Sequence, residues 1–277
     1  MDRNKVKKLL LGDLTILRLI RSIAFIYIAV AVFVYFCSDG MIFLPQPSSY
    51  KDGPNILKIK TKSGKLISAL YLPNPKAEFT IIYSHGNAED LGDIRFILER
   101  FNLKGFSVLA FDYQGYGTST GKPSQKNAYQ DIETLYQYLT EQLNTPPNRI
   151  IAMGRSIGSA VASHLASKYP IAGLILQSPP TSAFRVITRI PLLPFDKFNN
   201  LRHIKKITCP VLVIHSSDDN IIPTWHGRKV FKKANEPKFS LWVNNAGHND
   251  DIARIAGSAY WQKIQKLITA ITQKQQF

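Results

Sequence analysis

Apolar and polar positions divide the 277-residue chain into two unequal parts. Ser22 to Ser38 carries no charge and is mostly Ile, Ala, Val, Phe and Tyr. It follows a leader containing Arg3, Lys5, Lys7, Lys8, Arg18 and Arg21. A helix that spans a bilayer needs about 17–25 residues. Leu14 to Ile20 lengthens the run if Arg18 and Arg21 snorkel to the interface. Residues 1–40 are therefore expected to be a basic segment and membrane anchor, and residues 41–277 one folded domain. A cleaved signal peptide shares the basic-then-apolar layout. However, Phe36-Cys37-Ser38-Asp39-Gly40 puts bulky residues where an A-x-A-like site would lie. The positive-inside bias then keeps the N-terminus in the cytoplasm and sends the domain across the membrane, into the periplasm of a two-membrane bacterium.

Beyond a Pro-rich linker (Phe43 to Pro54) the pattern changes period. Ile56–Lys60 alternates apolar and polar, Lys62-Ser-Gly-Lys65 supplies a turn, and Leu66–Leu72 completes an antiparallel hairpin. Buried-type strands follow at Phe79–Ser84, Ser107–Phe111, Arg149–Met153, Gly173–Gln177, Val211–His215 and Ser240–Val243. Helical spacing covers Ile94–Lys104, Asn127–Leu143, Ser159–Lys168 and about Ala259–Gln273. Eight strands interleaved with helices imply an α/β fold whose mostly parallel sheet is covered on both faces. The Pro- and Arg-rich stretch from Ser178 to Thr208 interrupts that rhythm. It is expected to form a short cap over the carboxyl ends of the strands, where open α/β sheets bind ligands.

Charge and cysteine content narrow the classes. The formal net charge is +16, but the basic residues are scattered and form no nucleic-acid module. An anionic membrane is a better partner for such a surface than nucleic acid. Cys37 and Cys209 are the only cysteines; they offer no disulfide framework and no metal-ligand spacing.

The chemistry concentrates in Gly154-Arg-Ser156-Ile-Gly158, which lies between a strand and a helix. A serine on such a sharp turn projects its hydroxyl above the sheet, and the flanking glycines permit the cramped backbone. The hydroxyl needs a base, and the base needs a carboxylate to orient it. In the order Ser, Asp, His, the base is His248, in the loop after the last strand. His203 belongs to the cap, His215 ends a strand where it packs or turns the chain, and His226 suits an ordinary surface role. The loop after Val211–His215 offers two carboxylates, Asp218 and Asp219, of which the unused one is expected to be a solvated turn residue. Oxyanion donors are expected from the backbone N–H groups of Ile157 and Asn87, the latter in the turn His85-Gly-Asn-Ala88, where Gly86 allows the tight turn and His85 braces the loop. Gly115-Tyr-Gly117 fails as a dinucleotide fingerprint because Thr120 stands at the third glycine, so it reads as a loop bordering the site. Ile190, Leu192, Leu193 and Phe195 in the cap are expected to offer apolar surface to an acyl chain.

Several segments resemble the α/β-hydrolase superfamily, and within it the membrane-associated α/β-hydrolase-domain-17 group of protein depalmitoylases. They are Ser84-His-Gly-Asn-Ala-Glu-Asp-Leu-Gly92, Phe111-Asp-Tyr-Gln-Gly-Tyr-Gly117, Gly154–Gly158, Ser178-Pro-Pro-Thr-Ser182, Lys206–His215 and Ala246-Gly-His-Asn-Asp250. The resemblance covers about residues 43–270. It implies an α/β-hydrolase fold and a serine hydrolase that uses neither metal nor cofactor. It also places the acid four residues after the strand-end histidine, at Asp219. The expected substrate is a small acyl ester, a lipid or an acylated protein, cleaved at an ester or thioester bond. A peptidase of the prolyl-oligopeptidase kind and a catalytically silent, membrane-tethered binding module are the rival readings. Arg155 stands where the group commonly has Gln, and a hydrophobic anchor replaces the group's lipidated, cysteine-rich N-terminus.

Overall fold

The computed structural model of the protein describes residues 15–275; Arg3, Lys5, Lys7 and Lys8 lie outside the described residues. The chain divides into two units after Ile42. The first contains helix α1, Ile16–Ile42, whose mean hydropathy reaches 2.2 over its most apolar window. At 1.5 Å per residue its 27 residues extend ~40 Å, long enough to cross the ~30 Å hydrocarbon core of a bilayer. Thr15 caps the helix by accepting the Arg18 N–H, and the helix continues through Asp39 and Gly40, past the expected end of the anchor.

The second unit, from Phe43, holds an eight-stranded sheet in the order β1-β2-β4-β3-β5-β6-β7-β8. The strands are β1 (Ile56–Lys60), β2 (Leu66–Leu72), β3 (Thr80–Ser84), β4 (Ser107–Phe111), β5 (Ile150–Arg155), β6 (Gly173–Gln177), β7 (Val211–Ser216) and β8 (Lys238–Val243). The β1–β2 and β2–β4 pairs are antiparallel and all others parallel, which is the α/β-hydrolase arrangement. Period-2 alternation sorts the side chains between two cores. Ile81, Tyr83, Ile151, Met153, Ile175, Leu212 and Ile214 pack with helix α2 (Leu91–Leu103) and with a long C-terminal helix, Ser258–Lys274. The other face is covered by α3 (Gln125–Gln137), α4 (Gly158–Lys168) and a short helix at Asn200–Ile204.

Helix ends differ from the periodicity reading because caps, not apolar spacing, set them. Helix α2 starts at Leu91 because Asp90 accepts the N–H groups of Gly92 and Asp93 while Asp93 returns a bond to Asp90. Ser124 likewise caps α3 through the Asn127 N–H, and the expected run to Leu143 continues as a π-helical turn, Tyr138–Gln142. The expected cap region splits in two. From Phe198 onward it packs as core, with Phe198, Asn200, Ile204 and Ile207 buried; helix α5 (Ala183–Thr188) and the segment up to Lys197 form the outer part. In chain order the remaining helices are α6 (Asn200–Ile204), α7 (Trp225–Lys233), α8 (Ile252–Ala256) and α9 (Ser258–Lys274).

Candidate active site

The strand order reverses between β3 and β5, so the turns that follow them, residues 85–90 and 156–157, lie side by side at the carboxyl edge. Ser156 directly follows β5 with φ 54°, in the left-handed region. The strain therefore falls on the serine, while the glycines around it serve close approach. A Cβ on Gly154 would meet the Gly158 carbonyl oxygen at 2.1 Å, and one on Gly158 would meet the Ser84 and His85 carbonyl oxygens at 2.2 and 2.4 Å. Gly158 is thus where the elbow presses on the neighbouring turn. Alanine is the better helix former by about 1 kcal/mol, but backbone oxygens at those distances cannot yield. Gly158→Ala is expected to destabilise by about 3 kcal/mol or more. A thermal melt should show a midpoint lower by about 6–12 °C; an unchanged midpoint would disprove the clash.

The Ser156 N–H donates to the Gln177 carbonyl at 2.9 Å, fixing the elbow to β6. Ser159 donates its hydroxyl to the Ser156 carbonyl at 2.6 Å and accepts from Asn200 Nδ2 at 3.0 Å. Asn200, fully buried, also donates to the Pro180 carbonyl and accepts from the Ser163 hydroxyl. This lock on the elbow left no mark in the sequence, because an asparagine 44 positions downstream carries no local signal.

The structure brings Ser156, His248 and Asp219 into one line. Ser156 Oγ lies 3.0 Å from His248 Nε2, and His248 Nδ1 lies 2.8 Å from Asp219 Oδ2. The other Asp219 oxygen accepts the N–H groups of Ile221 at 3.1 Å and Ile222 at 2.7 Å. Burial opposes ionisation of Asp219. Hydrogen bonds from His215 and His248, the charge on His248 and the Ile222 N–H outweigh it, holding the carboxyl well below the usual range. It is an anion throughout the neutral range.

His215 is buried beneath that carboxylate, its Nε2 donating to the Ile222 carbonyl at 2.7 Å and lying 3.4 Å from Asp219 Oδ2. Asp218 is exposed, as expected of a turn residue, but it also accepts the Asn245 N–H at 2.6 Å and so pins the His248 loop. His226 departs from expectation. It is fully buried, stacked on Trp225 at 3.7 Å, with Nδ1 accepting the Thr181 N–H at 3.1 Å. Burial pushes it down to about 4, so it is a neutral strut between α7 and the segment after β6. Its surface reading failed because the apolar face of α7 could not be located from so short a helix.

In the turn after β3, Gly86 has an ordinary φ, and Ala88 takes the left-handed conformation at φ 58°. A Cβ on Gly86 would meet only side-chain ends, Glu89 Oε2 at 2.8 Å being the nearest, and that same oxygen accepts the Gly86 N–H at 2.8 Å. His85 is buried, with Nδ1 donating to the Gly86 carbonyl at 2.7 Å; burial lowers it to about 4, against the pull of that carbonyl and Asp90. Asn87 is held from outside, its Oδ1 accepting the Leu44 N–H at 3.0 Å and the Tyr116 hydroxyl at 2.5 Å. Tyr116 brings the Gly115–Gly121 loop to the border of the site. Ile157, at the N-cap of α4, is 8% exposed. In the outer cap Ile190 and Leu192 are exposed, while Phe195 packs edge-on against Phe184.

The family described as serine aminopeptidase, S33, matches residues 75–194. The α/β-hydrolase domain-containing protein 17B of Xenopus tropicalis is 36% identical over 231 residues, which span 82% of this chain and 78% of that protein. The chain belongs to the α/β-hydrolase-domain-17 family. The human 17B protein is 38% identical over 207 residues, 73% of this chain and 72% of the relative. Among solved structures, a Pyrococcus furiosus esterase superposes with a TM-score of 0.68 at 20% identity. The match covers 81% of this chain and 98% of the esterase, and is a likeness of fold. Membership of this family makes the chain a hydrolase.

Proposed function

We propose that the chain is a membrane-anchored serine hydrolase that cleaves carboxylic ester or acyl-thioester bonds. The observation that carries the reading is the continuous Asp219–His248–Ser156 hydrogen-bond line. Ser156 Oγ attacks the acyl carbonyl as its proton passes to His248 Nε2. Asp219 keeps the Nδ1–H tautomer and stabilises the imidazolium. The Asn87 and Ile157 N–H groups receive the oxyanion. Collapse of the tetrahedral intermediate breaks the C–O or C–S bond, and His248 returns the proton to the departing alcohol or thiol. Water, deprotonated by His248, then hydrolyses the acyl-enzyme. The exposed Ile190 and Leu192 support contact with an apolar acyl chain.

Helix α1 is read as the uncleaved anchor, with the N-terminus cytoplasmic and the domain on the far side. Its length and its exposed apolar side chains support a membrane span (Phe25 is 74% and Phe36 77% exposed), and the basic residues Arg18 and Arg21 near its start support the orientation. A second reading, hydrolysis of peptide amides, is favoured by the match of residues 75–194 to a family described as an aminopeptidase.

A panel of esters, thioesters and anilides sharing one acyl series, assayed with the full chain, separates the two. Turnover of both esters and thioesters with little of the anilides is expected. Preferential cleavage of anilides or peptides would transfer the assignment to the peptidase. Protease digestion of intact cells should cut the domain only from the far side of the membrane.

A further inference from the structure

Arg155 occupies the position before the nucleophile, yet its side chain does no obvious work for β5. It is the last residue of that strand, and its side chain is only 7% exposed. One end of the guanidinium, Nη1, is ion-paired with Glu89 Oε1. The other, Nη2, donates to the His248 carbonyl at 2.9 Å and to Asn249 Oδ1 at 3.2 Å. The second Glu89 oxygen accepts the N–H of Gly86, the residue next to Asn87. One buried cation therefore touches the main chain of the base residue directly and the oxyanion turn through a single carboxylate, while its own backbone leads into Ser156. Each loop leaves a different strand: β3, β5 and β8. Arg155 thus joins all three through one side chain.

We propose that Arg155 is a positioning residue that sets the mutual register of nucleophile, base and oxyanion donors, with Glu89 as its relay. The assignment rests on the hydrolytic reading of Ser156 and His248 given above. The chemistry of the residue suits the role. A planar fork with five donors can hold a carboxylate on one side and a carbonyl on the other with little freedom left. An ammonium at the same place could satisfy one partner but not impose both directions. Burial raises the consequence of losing either member, since the other is left as an uncompensated charge. No substrate atom needs to touch Arg155, so its removal should disturb alignment and leave ground-state binding alone.

The test compares wild type, Arg155→Gln, Arg155→Lys and Glu89→Gln as full chains on a soluble short-chain ester, with fluorophosphonate labelling rates measured in parallel. Misplacement of reacting groups by about 1 Å costs on the order of 100-fold, so kcat of Arg155→Gln is expected to fall about 10- to 100-fold. KM should stay within about twofold, because the lost interaction is made through the catalytic groups and not with bound substrate. The labelling rate should fall with kcat, Arg155→Lys should recover part of both, and Glu89→Gln should lose less than Arg155→Gln. A folded Arg155→Gln with wild-type kcat overturns the proposal, as does a change confined to KM. If Arg155→Gln fails to fold, Glu89→Gln and Asn249→Ala, which each remove one contact, decide by the same kcat-against-KM criterion. Failure of the underlying reading shows up separately: Ser156→Ala would then take up the probe as fast as wild type.

Discussion

Replacing Ser156 by alanine should abolish fluorophosphonate labelling and lower kcat by about 10⁵- to 10⁶-fold, the scale set by removing a nucleophile from a Ser-His-Asp site. Some rate above the uncatalysed reaction should survive, because the oxyanion donors and substrate contacts remain. The substitution is unusually clean here. Alanine keeps the Cβ, so the left-handed backbone at φ 54° carries the same strain before and after. The lock around the elbow also survives, since it uses the Ser156 N–H and carbonyl with Gln177 and Ser159, and not the hydroxyl. The one hydrogen bond lost is that to His248 Nε2 at 3.0 Å. The melting midpoint should therefore move by no more than about 4 °C, equivalent to ~1 kcal/mol for a domain of this size. Activity lost with the fold intact assigns the chemistry to the hydroxyl. A variant that labels, or that turns over esters at the wild-type rate, removes Ser156 from the mechanism.

The parts of this site differ in how legible they were. Gly154, Ser156 and Gly158 announce themselves because a strand-to-helix turn under steric pressure leaves a local signature five residues long. The sheet was readable for a similar reason: β3, β4, β5, β6 and β7 are buried on both faces, so apolar runs of strand length mark them directly. His248 was reachable through chain order. The choice between Asp218 and Asp219 was not, since both are loop carboxylates separated by one position. What distinguishes them is tertiary: Asp219 is buried over His215, and Asp218 faces outward to the Asn245 N–H. His226, Asn200 and the Arg155–Glu89 pair were illegible on similar grounds. Their roles depend on partners that the fold brings from 20 to 94 positions away, and a single sequence holds no record of such distances. Short helices such as α6 and α8 were missed because five residues cannot display a 3.6 period.

Asp219→Asn is expected to lower kcat by about 10⁴-fold, and the hydrogen bonds at the carboxylate explain why so conservative a change is so costly. Asp219 Oδ1 accepts two backbone N–H groups, from Ile221 and Ile222, which cannot reverse their role. The asparagine carbonyl must therefore stay on them, and its NH₂ must turn toward His248 Nδ1, 2.8 Å away in wild type. Two donors would then face each other unless the imidazole moves its proton to Nε2. That tautomer points an N–H at Ser156 Oγ and cannot take its proton. His215 offers no escape, because its Nε2–H, which donates to the Ile222 carbonyl and lies 3.4 Å from Asp219 Oδ2, would face the new NH₂ as a second donor. Asp218→Asn keeps an acceptor for the Asn245 N–H and should lower kcat less than about tenfold. Equal losses at the two positions would refute the assignment of Asp219. Stability gives a second reading with a definite sign. The folded Asp219 titrates below its ordinary value of 3.8, so its ionised form stabilises the protein above that value and the contribution is lost as pH falls through the lowered folded one. The melting gap between wild type and Asp219→Asn should be flat from about pH 5 to 8 and narrow below about pH 4. A gap that widens in acid would mean that the carboxyl is protonated in the folded state, and an acid in that form could not hold His248 for catalysis.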